Sequence, residues 1–248
     1  MKAIAIMQPY FFPYIGYWQL IHAVDRFVIY DDVNYINRGW INRNRLLING
    51  VPTYMTAPLY RSSQNKRICD IALQPSLDWR KKLVKMVETT YRNSTCFATV
   101  FPVIERLIRH KAGNVADYLA YQLQSLAAFM GIKTEFVVSS RSYQNEYLTG
   151  QARILDICNR EEAGIYINPQ GGQTLYDAEA FRSAGIDLRF IVMRPLPYKQ
   201  RGVEFVPYLS IIDALMEIGS IDIEHHLNAF VLTTSEAAPI PIHLSEPR

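Results

Sequence analysis

The N-terminal segment constrains the fold more than any other part of the sequence. Residues 2–7 form a short apolar run that Gln8 and Pro9 end, as is typical of a buried parallel strand. Residues 16–24 carry apolar side chains at helical spacing, and residues 27–30 form a second apolar run. A strand, a loop, a helix and a strand within about 30 residues make up a βαβ unit. The sequence therefore begins an α/β fold.

The same alternation returns in the second half of the chain. The apolar patterns predict strands at residues 135–139, 165–168 and 188–193, and helices at residues 150–162, 177–184, 208–218 and 223–230. Together with the N-terminal unit, these strands predict an open, mostly parallel sheet of the Rossmann-like or nucleotidylyltransferase-like kind.

Residues 36–112 interrupt the alternation. Two extended segments flank the dipeptide Asn49-Gly50, which is a strong hairpin signal. Helical patterns follow at residues 78–91 and 102–110, and a longer one at residues 114–130. We therefore predict an inserted region made of a hairpin and helices.

Length and composition set the domain organisation. A chain of 248 residues that is 49% hydrophobic can bury an ordinary core without a metal or a disulfide. We predict one α/β domain over residues 1–234, with the insertion at about residues 36–112. Residues 235–248 are rich in proline and lack periodicity, which predicts a surface tail.

Charge and cysteine content exclude several classes of protein. A net charge of +3 is too small for a general nucleic-acid binder. No apolar run reaches the roughly 18 residues that a membrane-spanning helix needs. The three cysteines, Cys69, Cys96 and Cys158, have no metal-ligand spacing and indicate reduced thiols. We therefore expect a cytoplasmic protein without a membrane span.

Ligands of open α/β sheets bind at the carboxyl ends of the strands, so the loop after the first strand is the first candidate site. Gln8, Tyr10, Tyr14, Gly16 and Tyr17 lie in this loop or at the start of the next helix. The YIGY turn is similar to the HxGH turn of nucleotidylyltransferases and pantothenate synthetases, with tyrosine at both histidine positions. Tyrosine cannot exchange a proton near neutral pH as histidine does, so we expect the loop to bind a ligand. The alternative is that its rings only cap the core.

Polar residues also follow the second strand. Asp31 and Asp32 are the candidate catalytic residues, because paired carboxylates can act as a general base, bind a metal or hold sugar hydroxyls. Asn34 is a candidate ligand-binding residue beside them. The alternative for Asp32 is an ordinary loop or helix cap.

The segment YINRGWINRNR interleaves arginines with aromatic and amide side chains. Arg38, Arg43 and Arg45 are candidates for holding phosphate through paired hydrogen bonds, and Trp40 and Asn42 are candidate neighbours in the same site. In an extended segment Asn42 and Asn44 share one face, and Arg43 and Arg45 share the other. A hairpin with outward-facing charges is the alternative.

A third candidate loop follows the strand at residues 165–168. Asn168, Gly171 and Gly172 stand where a tight turn can approach a ligand. The sequence has no Walker loop, GxGxxG motif, Ser-His-Asp set or metal box, which weakens the hydrolase, kinase and dehydrogenase interpretations. The cofactor stays open, with a nucleotide and an acyl donor as the candidates.

Three blocks of the sequence carry a resemblance to a known family. IAIMQPYFFPYIGYWQLIHAVDRFVIYDDVNYINRGWINRNRLL, INPQGGQTLYD and YLSIIDALMEIG resemble the WbqC-like protein family, which is associated with bacterial surface polysaccharide (O-antigen) clusters. The family's blocks single out Gln8, Pro9, Gly16, Asp31, Asp32, Arg38, Asn42, Arg43, Asn168, Gly171, Gly172 and Asp213.

The resemblance points to a pathway, O-antigen biosynthesis, more than to a reaction. We expect a transferase that acts on a small molecule. Our leading hypothesis is the transfer of an acyl or aminoacyl group to a nucleotide-linked amino sugar. A nucleotidylyltransferase-like or ATP-dependent ligase activity is one alternative, and a non-catalytic binding or scaffold subunit is another. The oligomeric state stays open.

Overall fold

The computed structural model describes residues 1–76, 78–194, 196–202 and 204–234. The predicted tail at residues 235–248 lies outside the described residues. The strands are β1 (Ala3–Met7), β2 (Arg26–Ile29), β3 (Arg43–Ile48), β4 (Val51–Thr56), β5 (Leu59–Tyr60), β6 (Ala72–Leu73), β7 (Glu135–Val137), β8 (Ile165–Pro169), β9 (Asp187–Met193) and β10 (Phe230–Thr233). The α-helices are α1 (Ile15–His22), α2 (Asp78–Tyr91), α3 (Phe97–Arg109), α4 (Val115–Phe129), α5 (Gly150–Arg160), α6 (Ala178–Ser183) and α7 (Ile211–Leu227).

The central sheet has six strands in the order β10-β9-β8-β1-β2-β7. All neighbours are parallel except β10, which runs antiparallel to β9. This arrangement confirms the predicted open, mostly parallel sheet of a Rossmann-like α/β fold. The apolar sequence of β1 is explained by its central place, since Ile4 and Ala5 are completely buried between the two faces.

The strand order reverses between β1 and β8. The chain continues from β1 to β2 on one side, and from β8 to β9 on the other. Right-handed crossovers then place the connecting helices on opposite faces. The side chains accordingly form two hydrophobic clusters, one containing Leu20 of α1 and the other containing Phe181 of α6. A crevice between β1 and β8 is the usual ligand site of such a sheet.

The ladder between β1 and β8 is short. It joins only Ala3 to Ile165 and Ile4 to Tyr166, whereas β1 and β2 pair over four residues. The two strands therefore separate toward their carboxyl ends, where a space opens between them.

The predicted hairpin lies between β2 and β7. β3 and β4 pair antiparallel around Asn49 and Gly50, which have φ angles of 51° and 76°. Two successive positive φ angles are the mark of the tight turn that Asn-Gly favours, so the hairpin prediction is confirmed. Helices α2 to α4 contribute to the same hydrophobic cluster as α1, and Phe11 and Tyr118 stack with ring centroids 6.3 Å apart.

One predicted boundary at the C-terminal end was wrong. The helix expected over residues 223–230 ends at Leu227, as the last part of α7, and Phe230 begins the edge strand β10. β10 exists because Phe230 pairs with Met193 across the sheet, a contact that the local apolar pattern cannot show. α7 is kinked at Gly219, whose φ is 78°. Across the described ranges, no helix is both long and apolar enough to cross a membrane.

Candidate binding site at the carboxyl edge of the sheet

A cavity of about 510 Å³ opens where β1 and β8 separate. Its walls include nine of the residues predicted for the site: Gln8, Tyr10, Tyr14, Gly16, Tyr17, Trp40, Asn168, Gly171 and Gly172. Tyr30, Tyr176 and Tyr208 add three more tyrosines. Of the residues that the structure describes, those lining the cavity include no Asp, Glu, Lys, Arg or His. The site is therefore an aromatic and uncharged chamber.

The YIGY turn forms one wall, and Gly16 is required there by space. A Cβ atom at Gly16 would lie 2.5 Å from the ring of Tyr14 and 2.9 Å from Sδ of Met193. The Tyr17 hydroxyl donates to the Gln8 carbonyl at 2.7 Å. Burial, and secondarily the nearby Tyr10, raises the pKa of Tyr17 well above its usual value. Tyr17 is therefore a fixed, protonated support of the loop.

Asn44 and Ser210, which the sequence did not single out as site residues, hold the loop in place through the Phe12 carbonyl. Phe12 has a φ of 42°, which is strained for an aromatic residue. Its carbonyl accepts from Asn44 Nδ2 at 2.9 Å and from Ser210 Oγ at 2.8 Å. Asn44 and Ser210 are both buried. The signal for Asn44 was its place on the face of β3 opposite the arginines, where a buried amide must find partners.

The loop after β8 forms the facing wall. Asn168 Nδ2 donates to the Tyr166 hydroxyl at 2.7 Å, which fixes the side chain. A Cβ atom at Gly172 would lie 2.3 Å from Asn168 Oδ1, whereas one at Gly171 would meet nothing within 4 Å. Only the second glycine is needed for the close approach of the turn Gln170–Leu175 to Asn168.

Asp31 and Asp32 do not line the cavity. The buried Asp31 carboxylate accepts from Ser139 Oγ at 2.8 Å and from the Ser140 backbone N–H at 3.1 Å. Burial is the largest influence on Asp31 and raises its pKa. Asp32 forms a buried ion pair with Arg153 at 2.6 Å. These two carboxylates tie the end of β2 to the residues after β7 and to α5.

Arg153 connects this network to the cavity. Its Nε donates to Asn145 Oδ1 at 2.9 Å, and its Cζ lies 4.9 Å from the ring centroid of Tyr30, a lining residue. Burial raises the pKa of Tyr30, so its hydroxyl keeps its proton near neutral pH. Asp32 therefore reaches the cavity through Arg153 and Tyr30. Sequence analysis did not single out Arg153, because one arginine on an amphipathic helix resembles a surface charge.

The hairpin arginines stack on aromatic rings beside the cavity. The Arg45 guanidinium lies 5.6 Å from the Trp40 ring centroid, and that of Arg43 lies 4.5 Å from the Tyr54 centroid. The Trp40 and Tyr54 rings are 6.4 Å apart. Arg45 Nε is buried without a hydrogen-bond partner. As predicted, Arg43 and Arg45 lie on one face of β3, and the buried Asn44 lies on the other face.

Three further predicted residues, Asn34, Arg38 and Asn42, also lie away from the cavity walls. Asn42 is held by the Tyr35 hydroxyl and by the Ala57 carbonyl, each at 2.9 Å. Asn34 is exposed, and its backbone forms an isolated antiparallel β-bridge with Arg67. Arg38 is exposed with a φ of 59°, and its carbonyl accepts from Arg43. Within the described ranges, no three His, Cys, Asp or Glu side chains are grouped so that they could hold a metal ion.

Fold and site together define a Rossmann-like α/β protein with a ligand-sized cavity where its strand order reverses. The chain belongs to the WbqC-like protein family, whose model matches residues 8–225. It is also similar to "Uncharacterized protein Rv1507c" of Mycobacterium tuberculosis, with 26% identity over 223 residues that make up 89% of this chain and 95% of that protein. No solved structure matches.

Proposed function

We propose that the protein binds a nucleotide-linked amino sugar at this edge of the sheet and transfers a small acyl or aminoacyl group to it, as a cytoplasmic step in bacterial surface-polysaccharide (O-antigen) synthesis. The observation that carries the proposal is the uncharged tyrosine-rich cavity lying directly beside the stacked arginines of the hairpin. The resemblance to the WbqC-like family is what supports the choice of pathway.

The cavity suits a sugar. Tyrosine rings offer apolar surface to the C–H face of a sugar, and their hydroxyls exchange hydrogen bonds with its hydroxyls. Burial raises the pKa of Tyr30 and of Tyr176, so both present neutral hydroxyls. Asn168 adds an amide group to the wall. A charged ligand group would find no countercharge on the described walls, which favours a neutral sugar ring there.

The hairpin of β3 and β4 suits the phosphates and the base of a nucleotide. Arg45 stacks on the cavity residue Trp40, and its buried Nε lacks an acceptor, which a phosphate oxygen can supply. Arg43 and Tyr54 continue the same surface away from the cavity. Alternating guanidinium and aromatic groups bind a nucleotide through paired hydrogen bonds and stacking.

The transfer has to move one proton. The sugar amine attacks the acyl carbonyl carbon, the bond from that carbon to the donor's leaving group breaks, and the proton that the amine loses passes to the departing leaving group. We assign Tyr30 the contact with the substrate and Asp31 and Asp32 the role of holding the residues behind it. In this assignment Asp32 tunes Tyr30 through Arg153.

Calorimetry with a panel of nucleoside diphosphate amino sugars tests the binding. We expect Arg45→Met to weaken binding by about tenfold, the cost of one charge-assisted hydrogen bond. Arg61→Met is the matched control, because Arg61 also stacks on an aromatic ring, that of the exposed Tyr60 at 5.0 Å, beside the separate pair of strands β5 and β6. Wild-type protein that binds no member of the panel, or equal losses in both variants, would contradict the proposal.

Mass spectrometry of the surface glycan tests the transfer. A cell that lacks the protein should lose one acyl or aminoacyl substituent, and the gene should restore it. A glycan of unchanged mass and linkage would refute the transfer while leaving the binding result intact.

A non-catalytic binding subunit is the second candidate. The observation in its favour is that the described cavity walls carry no side chain that titrates near neutral pH. Tyr30→Phe keeps the ring that Arg153 contacts and removes the hydroxyl. Full glycan production with this variant would favour the binding subunit, and loss of the substituent with unchanged ligand affinity would favour the enzyme.

A further inference from the structure

A small second pocket adjoins the cavity at the carboxyl edge of the sheet. It lies between α1, the end of β9 and the start of α7, and its volume is about 30 Å³. Gln19, Met193 and Tyr208 line both spaces, so the two spaces meet at these three side chains. One water-sized group needs about 10–15 Å³, which leaves room in the pocket for about two or three such groups.

Apolar side chains make up most of the pocket walls. Ile15 comes from α1 and Ala214 from α7, while Leu196 and Phe205 belong to the segment between β9 and α7. Walls of this kind favour the hydrocarbon part of a ligand, because its burial removes apolar surface from water. The small pocket therefore suits a short apolar group attached to a ligand that occupies the larger cavity.

Asp213 fixes part of the segment that lines the pocket. Its buried carboxylate accepts from the Tyr91 and Tyr198 hydroxyls at 2.8 Å each, and from Gln200 Nε2 at 3.1 Å. Tyr198 itself lines the pocket, and its ring meets that of Phe205 edge-on with centroids 5.4 Å apart. Asp213, which the family's blocks single out, thus has a place in building this wall.

Gln19 brings a hydrogen-bond acceptor to the junction of the two spaces. Its side chain is 1% exposed, and Nε2 donates to the His226 and Ala229 carbonyls at 2.7 and 3.0 Å. Carbonyl oxygens only accept, so these two bonds fix which end of the amide faces them. Oε1 at the other end is buried and has no hydrogen-bond partner among the described residues. It can accept from an N–H group of a ligand.

The charges around the pocket distinguish between the two kinds of group in the proposed transfer. Of the lining residues that the structure describes, none is Asp or Glu, whereas Arg194 is a cation. Burial lowers the pKa of His226, so this lining imidazole is uncharged near pH 7. The ammonium of an aminoacyl group would meet like charge and no carboxylate here, which costs free energy. The pocket favours an uncharged acyl group.

We propose that this pocket holds the transferred group, and that the group is acetyl or formyl and not aminoacyl. The inference rests on the proposed function, whose acceptor sugar occupies the larger cavity. The methyl and carbonyl groups of an acetyl group together match the room in the pocket. Gln19 Oε1 accepts from the N–H of the sugar amine before transfer and from the amide N–H of the product afterwards.

Methyl NMR of the full chain, labelled at the isoleucine δ1 methyl groups, tests the pocket with simple amides. Acetamide has the methyl, carbonyl and N–H groups that the pocket should bind. It should shift the resonances of Ile15 and Ile211, which line only the small pocket, in a saturable way. Ile6 and Ile154 line only the larger cavity and should shift less. Pentanamide exceeds the room available and should leave Ile15 and Ile211 unchanged.

No saturable shift at Ile15 and Ile211, or an equal shift with pentanamide, would overturn the proposal. Leu196→Phe adds volume to a half-buried wall residue and should abolish the acetamide response. Leu232→Phe is the matched control, because Leu232 is exposed on β10 and lines neither space. Ala214→Val fills the pocket from a helix, where the side chain cannot turn away. A response kept in both filled variants would also contradict the assignment.

Mass spectrometry of the surface glycan separates this inference from the proposed function. Loss of an acetyl or formyl substituent in cells that lack the protein supports both. Loss of an aminoacyl substituent supports the transfer and overturns this inference. An unchanged glycan refutes the transfer and with it the role of the pocket, while the amide titration still reports on the pocket alone. Leu196→Phe should fail to restore the substituent although its affinity for the amino sugar is unchanged.

Discussion

At the scale of single residues, steric room decides which parts of the cavity tolerate change. Gly172 and Gly171 are neighbours in the same turn, yet only Gly172 lies against another side chain, the Asn168 amide. Asn168 is itself held by Tyr166. A methyl group at Gly172 must therefore displace a side chain that is already fixed.

We expect Gly172→Ala to destabilise the fold by about 1–3 kcal/mol, the usual cost of overpacking, and to weaken ligand binding at least tenfold. Gly171→Ala is the matched control and should change neither property, because its Cβ would meet nothing within 4 Å. Urea unfolding and calorimetry measure both effects. Similar losses in the two variants would show that backbone freedom, and not the contact with Asn168, is what the turn requires.

At the scale of elements, the buried pair of Asp32 and Arg153 joins β2 to α5. Both side chains are almost completely buried, and their atoms lie 2.6 Å apart. Removal of one partner leaves the other charge uncompensated in the interior.

Arg153→Met should therefore destabilise the protein by about 3–5 kcal/mol. The double variant Asp32→Leu with Arg153→Met should recover a large part of this loss, because it buries no charge. Denaturant unfolding checks both variants. A double variant that is less stable than the single one would show that the remaining hydrogen bonds of the network matter more than the ion pair.

A second set of ion pairs joins elements at the opposite, amino edge of the sheet. Glu161 accepts from Lys2 and from the Tyr143 hydroxyl at 2.8 and 2.7 Å, and from Arg26 at 2.6 Å. Burial alone would raise the pKa of Glu161, but these partners outweigh it and lower the pKa from 4.5 to about 2.

The lowered pKa of Glu161 predicts a loss of stability in acid. A carboxyl whose folded pKa lies below its unfolded value stabilises the fold above the unfolded pKa, and this contribution is lost as the pH falls from 4.5 toward about 2. Glu161→Gln should be less stable than wild type near neutral pH and should lose less stability across this window. Unfolding free energies at several pH values test this. Parallel pH profiles would contradict the assignment.

At the scale of the whole molecule, the cavity is assembled from segments far apart in the sequence. Gln8 and Tyr14 follow β1, Trp40 precedes β3, and Asn168 and Tyr208 come from the second half of the chain. A ligand that bridges these segments should slow amide hydrogen exchange in all of them together and leave α3 unchanged. Hydrogen–deuterium exchange mass spectrometry, with and without a nucleoside diphosphate amino sugar, measures the protection of each segment. Protection confined to one segment would place the ligand elsewhere.

The sequence predicted what local periodicity encodes. The helix predicted at residues 78–91 matches α2, and the elements of the first βαβ unit differ from the prediction by at most two residues at any end. The loops after β1 and β8 were correctly expected at one crevice, because parallel strands end on the same edge.

Features that depend on distant partners were not predictable. Arg153 is recognised only once it meets Asp32, and β10 only once it meets β9. The loop after β2 was expected in the same crevice. Its Asp31 carboxylate instead points to the residues after β7, because Ser139 and Ser140 donate hydrogen bonds to it there.

The short ladder between β1 and β8 also has a mechanical consequence. The three strands β10, β9 and β8 and the three strands β1, β2 and β7 form two half-sheets, and two residue pairs join them along the sheet. A ligand that touches both Gln8 and Asn168 bridges the halves just where their own ladder stops. The occupied protein should therefore resist a pulling force across this seam better than the empty one, with the bound molecule acting as a crosslink.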